Sequence, residues 1–424
     1  MSSPQPEQAE KIPQERPLRV AFVTPYDSRD IRNFSGSGYH IALALEEAGM
    51  EIERIGLLKN RHHPINVLRY LWNSKVLGLN DHPQRDPGFL RHYARQVEHA
   101  LRDSDADLVF GAGGLALAYL ETDLPMVLWT DSTFAGLLDY YDKFSNLSKR
   151  TIKNGHAYEK SLLDRIDLAI LSSQWAADVA IDVYDFDPAK VCIAPLGAGF
   201  ECKRTESDIE KLIEQRSGDV CRLLWVGVDW DRKGGDITME TARLLNERGI
   251  PTELLLVGVR PPADLDLPEW VKVFGYLDKR DAAQRKQLDD LFATSHFFLL
   301  PTKAEGYGIV FCEASSFGLP SVATRTGGTG DAILEGVSGW LHEPNSPASD
   351  YADTIERCFR NQEGYAAIAR SAFQDYQTRT NWTVFGEIAA KAMREMIDRR
   401  RNPSPPATRS SGGDDTPSVA EAVK

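Results

Sequence analysis

PTKAEGYGIVFCEASSFGLP, residues 301–320, sets two glutamates, Glu305 and Glu313, on either side of a glycine-flanked tyrosine and an apolar run. The preceding residues, HFFLLP, read as a buried strand ending at Pro301, and a helix is expected to begin near Gly308. The free N–H groups of Gly308, Ile309 and Val310 would then point out of the helix start and make an anion site, with Gly306 and Tyr307 completing the turn. Glu313 falls among Ile309, Val310, Phe311, Cys312 and Ala314. Burying a lone carboxylate is costly, so this residue either turns outward or has a polar partner. Were the whole span helical, eight residues at 1.5 Å each would hold the two carboxylates about 12 Å apart along the axis. That exceeds the roughly 5 to 9.5 Å of a glycosidase pair, and two separate recognition carboxylates are the simpler reading. The plain alternative is that Glu305 caps the helix and Glu313 is exposed.

Working outward, apolar runs alternate with helical patterns along the chain. LRVAFVT, DLVFGAG, PMVLWT, DLAILSS and VCIAP occupy the first half; CRLLWVGV, ELLLVG, VKVFGY, HFFLLP and PSVAT occupy the second. Continuous Val, Leu and Ile runs separated by helices mark parallel strands buried on both faces. The 424 residues exceed one ordinary domain,. The sequence therefore predicts an α/β chain of two doubly wound parallel-sheet domains, 18–200 and 201–380, meeting near 197–220. Residues 1–17 and 401–424, rich in Pro, Ser and Gln or Gly, are expected to be disordered. An amphipathic helix spans 381–399. Ligands of such sheets bind beyond the carboxyl ends of the strands, which places the site in a cleft between the domains.

Composition excludes several classes. The formal charge of −13 argues against a nucleic-acid binder,. Five scattered cysteines without a C-x-x-C pair suit reduced core thiols in the cytoplasm and suggest no zinc site,. The opening residues carry neither a signal peptide nor an anchor, so a soluble, cytoplasmic protein is expected.

Three further motifs face the expected cleft. In LWVGVDWDRKGGD, 224–236, a strand ends at Gly227, and Arg232 with Lys233 supplies a fork and a point charge suited to a diphosphate,; the bland reading is a solvated pair. Gly36, Ser37 and Gly38, in FSGSGYHIALALEEAG, allow a tight turn into a helix whose N-terminus would face the cleft from the first domain,. PMVLWTDSTF puts Thr130, Asp131 and Ser132 at a strand end, where Asp131 either orients a sugar or caps a helix,.

Glu-x7-Glu in this strand, turn and helix setting resembles the signature of glycosyltransferase family 4, whose GT-B fold is two Rossmann-like domains across a cleft. The resemblance implies a retaining, metal-independent transferase of the hexosyltransferase type that needs no cofactor and takes a nucleoside-diphosphate sugar as substrate. Glu305 would then contact donor sugar hydroxyls and Glu313 the ribose. Arg232 and Lys233 would stabilise the departing diphosphate, Gly36, Ser37 and Gly38 would lie near donor phosphate, and Gly306, Tyr307, Gly308, Ile309 and Val310 would complete the donor site. Asp131, where members often have histidine, would orient acceptor or donor sugar. Many members place arginine directly after the strand glycine; here that residue is Val228, and Arg232 is expected to replace it. TGGTGDAILEGVSGWL continues the likeness to residue 341, and the helix 381–399 would cross back to the first domain.

Other readings compete. A GT-B epimerase would need no acceptor, and a nucleotide-sugar sensor would bind without turnover. GAGGLA, 111–116, with Asp131 twenty residues on, fits a nicotinamide-cofactor fingerprint,. Asp103 to Asp105 matches a metal-binding D-x-D. Between Arg54 and Asn80 no residue is acidic, while Lys59, Arg61, Arg69 and Lys75 accompany Leu68, Leu71, Trp72 and Val76. Such a stretch most often packs on its own sheet; otherwise it contacts the inner face of a membrane peripherally or binds a phosphorylated acceptor.

Overall fold

The apolar runs assemble into two six-stranded sheets in which every strand pair is parallel. The structure, a computed structural model, describes residues 16–61, 64–216 and 218–402. The arm 1–17 and the tail 401–424 lie almost wholly outside these residues. The first sheet contains β1 (Arg19–Val23), β2 (Glu51–Ile55), β3 (Leu108–Ala112), β4 (Met126–Thr130), β5 (Leu168–Leu171) and β6 (Val191–Ile193), in the order β2-β1-β3-β4-β5-β6. The second contains β7 (Cys221–Val226), β8 (Thr252–Val257), β9 (Val271–Gly275), β10 (Phe297–Leu300), β11 (Ser321–Thr324) and β12 (Gly339–His342), in the order β12-β11-β10-β7-β8-β9.

Alternation along the strands divides the cores. Val20 and Phe22 of β1 join the larger core, which runs into the second domain, while Ala21 and Val23 face a separate core of the first,. In the second sheet the chain builds outward from β7 through β9, then returns to the other side of β7 with β10. Ligand crevices of open parallel sheets form at such a reversal, beyond the strand ends. The loops after β7 and β10 carry Arg232, Lys233 and Glu305.

The last helix, Trp382–Arg401, leaves the second domain and packs on the helix Ser37–Glu47 of the first. A Cβ at Gly386 would come within 2.4 Å of the Ala44 carbonyl oxygen, so glycine is required for this approach. Nearby, Trp382 stacks on His40 with ring centroids 5.2 Å apart.

The stretch 54–80 departs from the more frequent arrangement. Its helix, Pro64–Lys75, buries only Asn73, and Leu68, Trp72 and Val76 are 67%, 59% and 59% exposed. The apolar residues at helical spacing do not cover the sheet.

Candidate functional site

Residues just beyond β1, β3, β4, β7, β8, β9 and β10 line one cavity of about 2020 Å³ between the sheets. That volume exceeds the roughly 300 to 1,000 Å³ of a single small-molecule pocket and leaves room for two substrates.

Glu313 resolves the dilemma posed by its neighbours. It sits in the helix Ile309–Ser315 and is 1% exposed. One carboxylate oxygen, Oε1, accepts from the Lys279 ammonium and from the Gly199 N–H at 3.2 Å. The other, Oε2, is buried with no partner. The residue therefore does have a polar partner, but only for half of its carboxylate. A ligand bringing hydroxyl donors into the cavity would satisfy the remaining oxygen.

Glu305 does not cap that helix: Gly308 is the N-cap, with no side-chain cap bond. The Lys233 ammonium lies on Glu305 Oε2, and Arg232 Nη1 is 3.8 Å from the same oxygen. Arg232 is fixed further by the Ala304 carbonyl at 2.8 Å and by Asp229 at 3.3 Å. The basic pair is thus held against the loop after β10 and is not a solvated pair. Gly308 has φ +99°, and a Cβ there would meet the Phe311 ring at 2.5 Å. The unpaired N–H groups of the helix start belong to the cavity wall, with Gly306, Ile309 and Val310,. Tyr307 also lines it, but its ring is 2% exposed and its hydroxyl turns to the Leu196 carbonyl at 3.5 Å, so this side chain is a core group. Val228 is 67% exposed at the cavity rim.

From the first domain, Asp131 faces the same centre. The N-cap of the short helix Phe134–Leu137 is Thr133, which removes the capping reading for Asp131. A Cβ at Gly306 would lie 3.3 Å from Asp131 Oδ2. Burial pushes the Asp131 carboxyl up to about 6; its own backbone N–H and Lys143 oppose this, and Glu305 adds to it.

The glycine turn meets the cavity less fully than expected. Phe34, Ser35 and Gly36 are all left-handed, at φ 49°, 55° and 80°. Ser37 lines the cavity, whereas Gly38 packs on Tyr26, whose hydroxyl would be 2.8 Å from an added Cβ.

No helix follows β3: residues 114–119 form turns, so GAGGLA lacks the helix start that a dinucleotide fingerprint requires,. Asp105 pairs with Arg19 at 3.3 Å in an exposed turn.

Sequence reasoning missed three cavity residues, Lys279, Tyr141 and His40, and also Tyr140, which adjoins Tyr141. Lys279, in the turn beyond β9, could have been found as a basic residue at the carboxyl end of a strand. Tyr140 and Tyr141 cross from the first domain, accepting from the N–H groups of Glu305 and Gly306 at 2.9 and 2.7 Å. The Tyr140 hydroxyl also meets Thr326 Oγ1 at 2.8 Å. Burial holds the His40 imidazole down at about 4, so it is neutral at neutral pH.

Comparison with known proteins bears on the fold and on the second domain. Residues 221–361 match the family described as Glycosyl transferases group 1. The chain is 30% identical over 207 residues to D-inositol 3-phosphate glycosyltransferase of Frankia alni, an alignment covering 45% of this chain and 50% of that one. It is 25% identical over 297 residues to the enzyme of the same name from Corynebacterium urealyticum, covering 66% and 68%. The chain thus spans between half and about two thirds of the length of these relatives. Among solved structures, a glycosyltransferase from Rickettsia africae superposes with a TM-score of 0.62 at 16% identity, covering 92% of this chain and all of that one. HepE of Anabaena, solved with UDP-glucose, superposes with a TM-score of 0.56 at 18% identity, covering 89% and all. The chain has the two-domain α/β GT-B fold, and the part of it that holds Arg232, Lys233, Glu305 and Glu313 is similar to glycosyl transferases group 1.

Proposed function

We propose that this protein is a retaining glycosyltransferase of family 4 type that moves a sugar from a nucleoside-diphosphate sugar to an acceptor hydroxyl, without a metal or a cofactor. The observation that carries this reading is the buried, half-satisfied carboxylate of Glu313 beside the helix start at Gly308, in a cavity whose wall also holds Arg232, Lys233 and Glu305. A ribose diol would donate to Glu313 Oε2, and Lys279 holds the carboxylate through its other oxygen. The diphosphate would lie on Arg232, Lys233 and the N–H groups of Ile309 and Val310, where charge develops as the bond to the sugar breaks. Glu305 would exchange part of its ion pair with Lys233 for sugar hydroxyls, freeing the ammonium for phosphate. Asp131, poised near neutrality, would orient the acceptor hydroxyl and draw on its proton. Retention follows from attack on the face the diphosphate leaves, assisted by that phosphate. The matched relatives, named for an inositol phosphate, and the UDP-sugar complex of HepE support a nucleotide-sugar donor.

The deciding experiment is product analysis with UDP-glucose and a panel of acceptors. A conjugate heavier than the acceptor by one hexose residue supports transfer. A donor isomer of unchanged mass would establish an epimerase instead, and binding without turnover a sensor.

A second reading concerns location. Nine of the exposed large apolar residues fall within 57–77, among them Leu57, Leu68, Leu71, Trp72, Val76 and Leu77. Lys59, Arg61, Arg69 and Lys75 accompany them without an acidic residue, in a chain of net charge −13. We infer that this surface seats the protein peripherally on an anionic membrane from the cytoplasmic side. No helix among the described residues is long and apolar enough to cross one.

A further inference from the structure

The cavity has a first-domain lobe that the donor reading leaves unused. Arg85 ends the 3-10 turn Pro83–Arg85, is 9% exposed and lines this lobe. Its guanidinium lies 4.8 Å from the Phe144 centroid and 5.3 Å from that of Phe134, packed against both rings. Its Nε has no partner, and among the described residues no carboxylate comes within ion-pair distance of it. Arginine stays charged in proteins, and a buried, unpaired guanidinium is costly unless something supplies acceptors. Lys143 lines the same lobe, its ammonium 5.3 Å from the Phe144 centroid, and it too has no ion pair among the described residues.

The surroundings leave this charge poorly neutralised. Glu159, 4% exposed, accepts from the Phe134 N–H at 3.0 Å. Burial pushes its carboxyl up to about 7, against the pull of that bond and of Arg85, so it is an incomplete counterion at neutral pH. The Tyr158 and Tyr184 hydroxyls are raised by burial and stay neutral. Asp86, next in the chain, is paired with Arg150, and Asp131 lines the cavity beside Gly306.

From this geometry we propose that the acceptor carries a phosphate monoester, seated between Arg85 and Lys143, which brings a neighbouring hydroxyl to Asp131. A guanidinium fork matches phosphate oxygens in a way that a sugar ring does not. This rests on the transferase reading above, which supplies the donor across the cavity.

The test is calorimetric titration of inorganic phosphate into the full-length protein saturated with UDP, so that the diphosphate position is filled. The wild type should bind phosphate, and Arg85→Gln and Lys143→Ala should each weaken it at least tenfold while UDP affinity stays within twofold. Lys143 is exposed, so its variant decides the matter even if Arg85→Gln does not fold. Displacement of phosphate by soluble glycerol 3-phosphate supports a free phosphorylated acceptor, and displacement by phosphatidic acid vesicles alone supports a lipid headgroup. Displacement by neither, or phosphate binding that ignores both substitutions, overturns the proposal. Failure of UDP itself to bind overturns the donor reading instead, and the two failures are distinguishable.

Discussion

The backbone N–H of Gly306, in the second domain, donates to the hydroxyl of Tyr141, in the first, at 2.7 Å. Next to it, Glu305 donates its N–H to Tyr140 at 2.9 Å. The loop that would face the donor sugar is therefore held by the opposite domain, and its placement depends on closure of the cleft. Closing would also exclude water and limit donor hydrolysis.

Removing the Tyr141 hydroxyl costs about 1 kcal/mol of that closure, the net worth of a neutral hydrogen bond. Tyr141→Phe should lower kcat/KM roughly fivefold, by the conversion of 1.36 kcal/mol per tenfold, with UDP affinity unchanged. Steady-state kinetics beside UDP calorimetry checks this. An equal fall in UDP affinity would place the tyrosine's effect inside the donor domain.

Lys279 partners a carboxylate that is 1% exposed. Lys279→Ala would strand the Glu313 charge. Because the lysine is itself partly exposed, the cost should be about 1 to 2 kcal/mol, short of a fully buried pair. The double variant with Glu313→Gln should recover most of it. Urea unfolding of the four proteins gives the coupling directly, and additive losses would show that the pair is not coupled.

Asp131 gives a pH signature. Its folded carboxyl titrates near 6, above the ordinary value of 3.8. Between these values the folded protein binds more protons than the unfolded chain, so stability falls as pH rises from about 4 to 6. Asp131→Asn should remove that fall and stabilise the protein at pH 7 by on the order of 2 kcal/mol. It should also abolish a rise in kcat/KM centred near pH 6. Thermal unfolding across pH, read beside the rate profile, tests both, and a wild-type profile flat through pH 6 contradicts the role given to Asp131.

The segment 57–77 should bind vesicles of phosphatidylglycerol and not of phosphatidylcholine. Trp72 is 59% exposed, and its fluorescence should shift to the blue on binding. Leu68→Ser with Trp72→Ser should abolish flotation without changing UDP affinity, whereas flotation retained by the double variant would exclude this surface.

How much of this was legible follows from where each group gets its neighbours. Inner strands such as VLWT of β4 are covered on both faces and read as continuous apolar runs. Two strands went unread: β2, EIERI, and β12, GWLH, are the sheet edges, half-exposed, and alternate with charged or polar residues. Glu305, Glu313, Arg232 and Lys233 stood out because one short loop and one helix start carry them. Tyr140 and Tyr141 could not, since their partners lie 165 residues away in the other domain. The partner of Glu313 was only half hidden: Lys279 follows the carboxyl end of β9, where a basic residue is a site candidate, but no spacing ties it to a carboxylate 34 residues on. Gly38 looked like a cavity glycine and is instead required by Tyr26.

Whether Glu313 holds the ribose of a nucleotide is read from calorimetry of UDP, GDP and ADP against the wild type and Glu313→Gln. One nucleotide should bind in the micromolar range, and Glu313→Gln should weaken it about tenfold or more, the scale of hydrogen bonds to a charged group. Equal affinity in the two proteins, or no nucleotide bound by either, would contradict this role of Glu313.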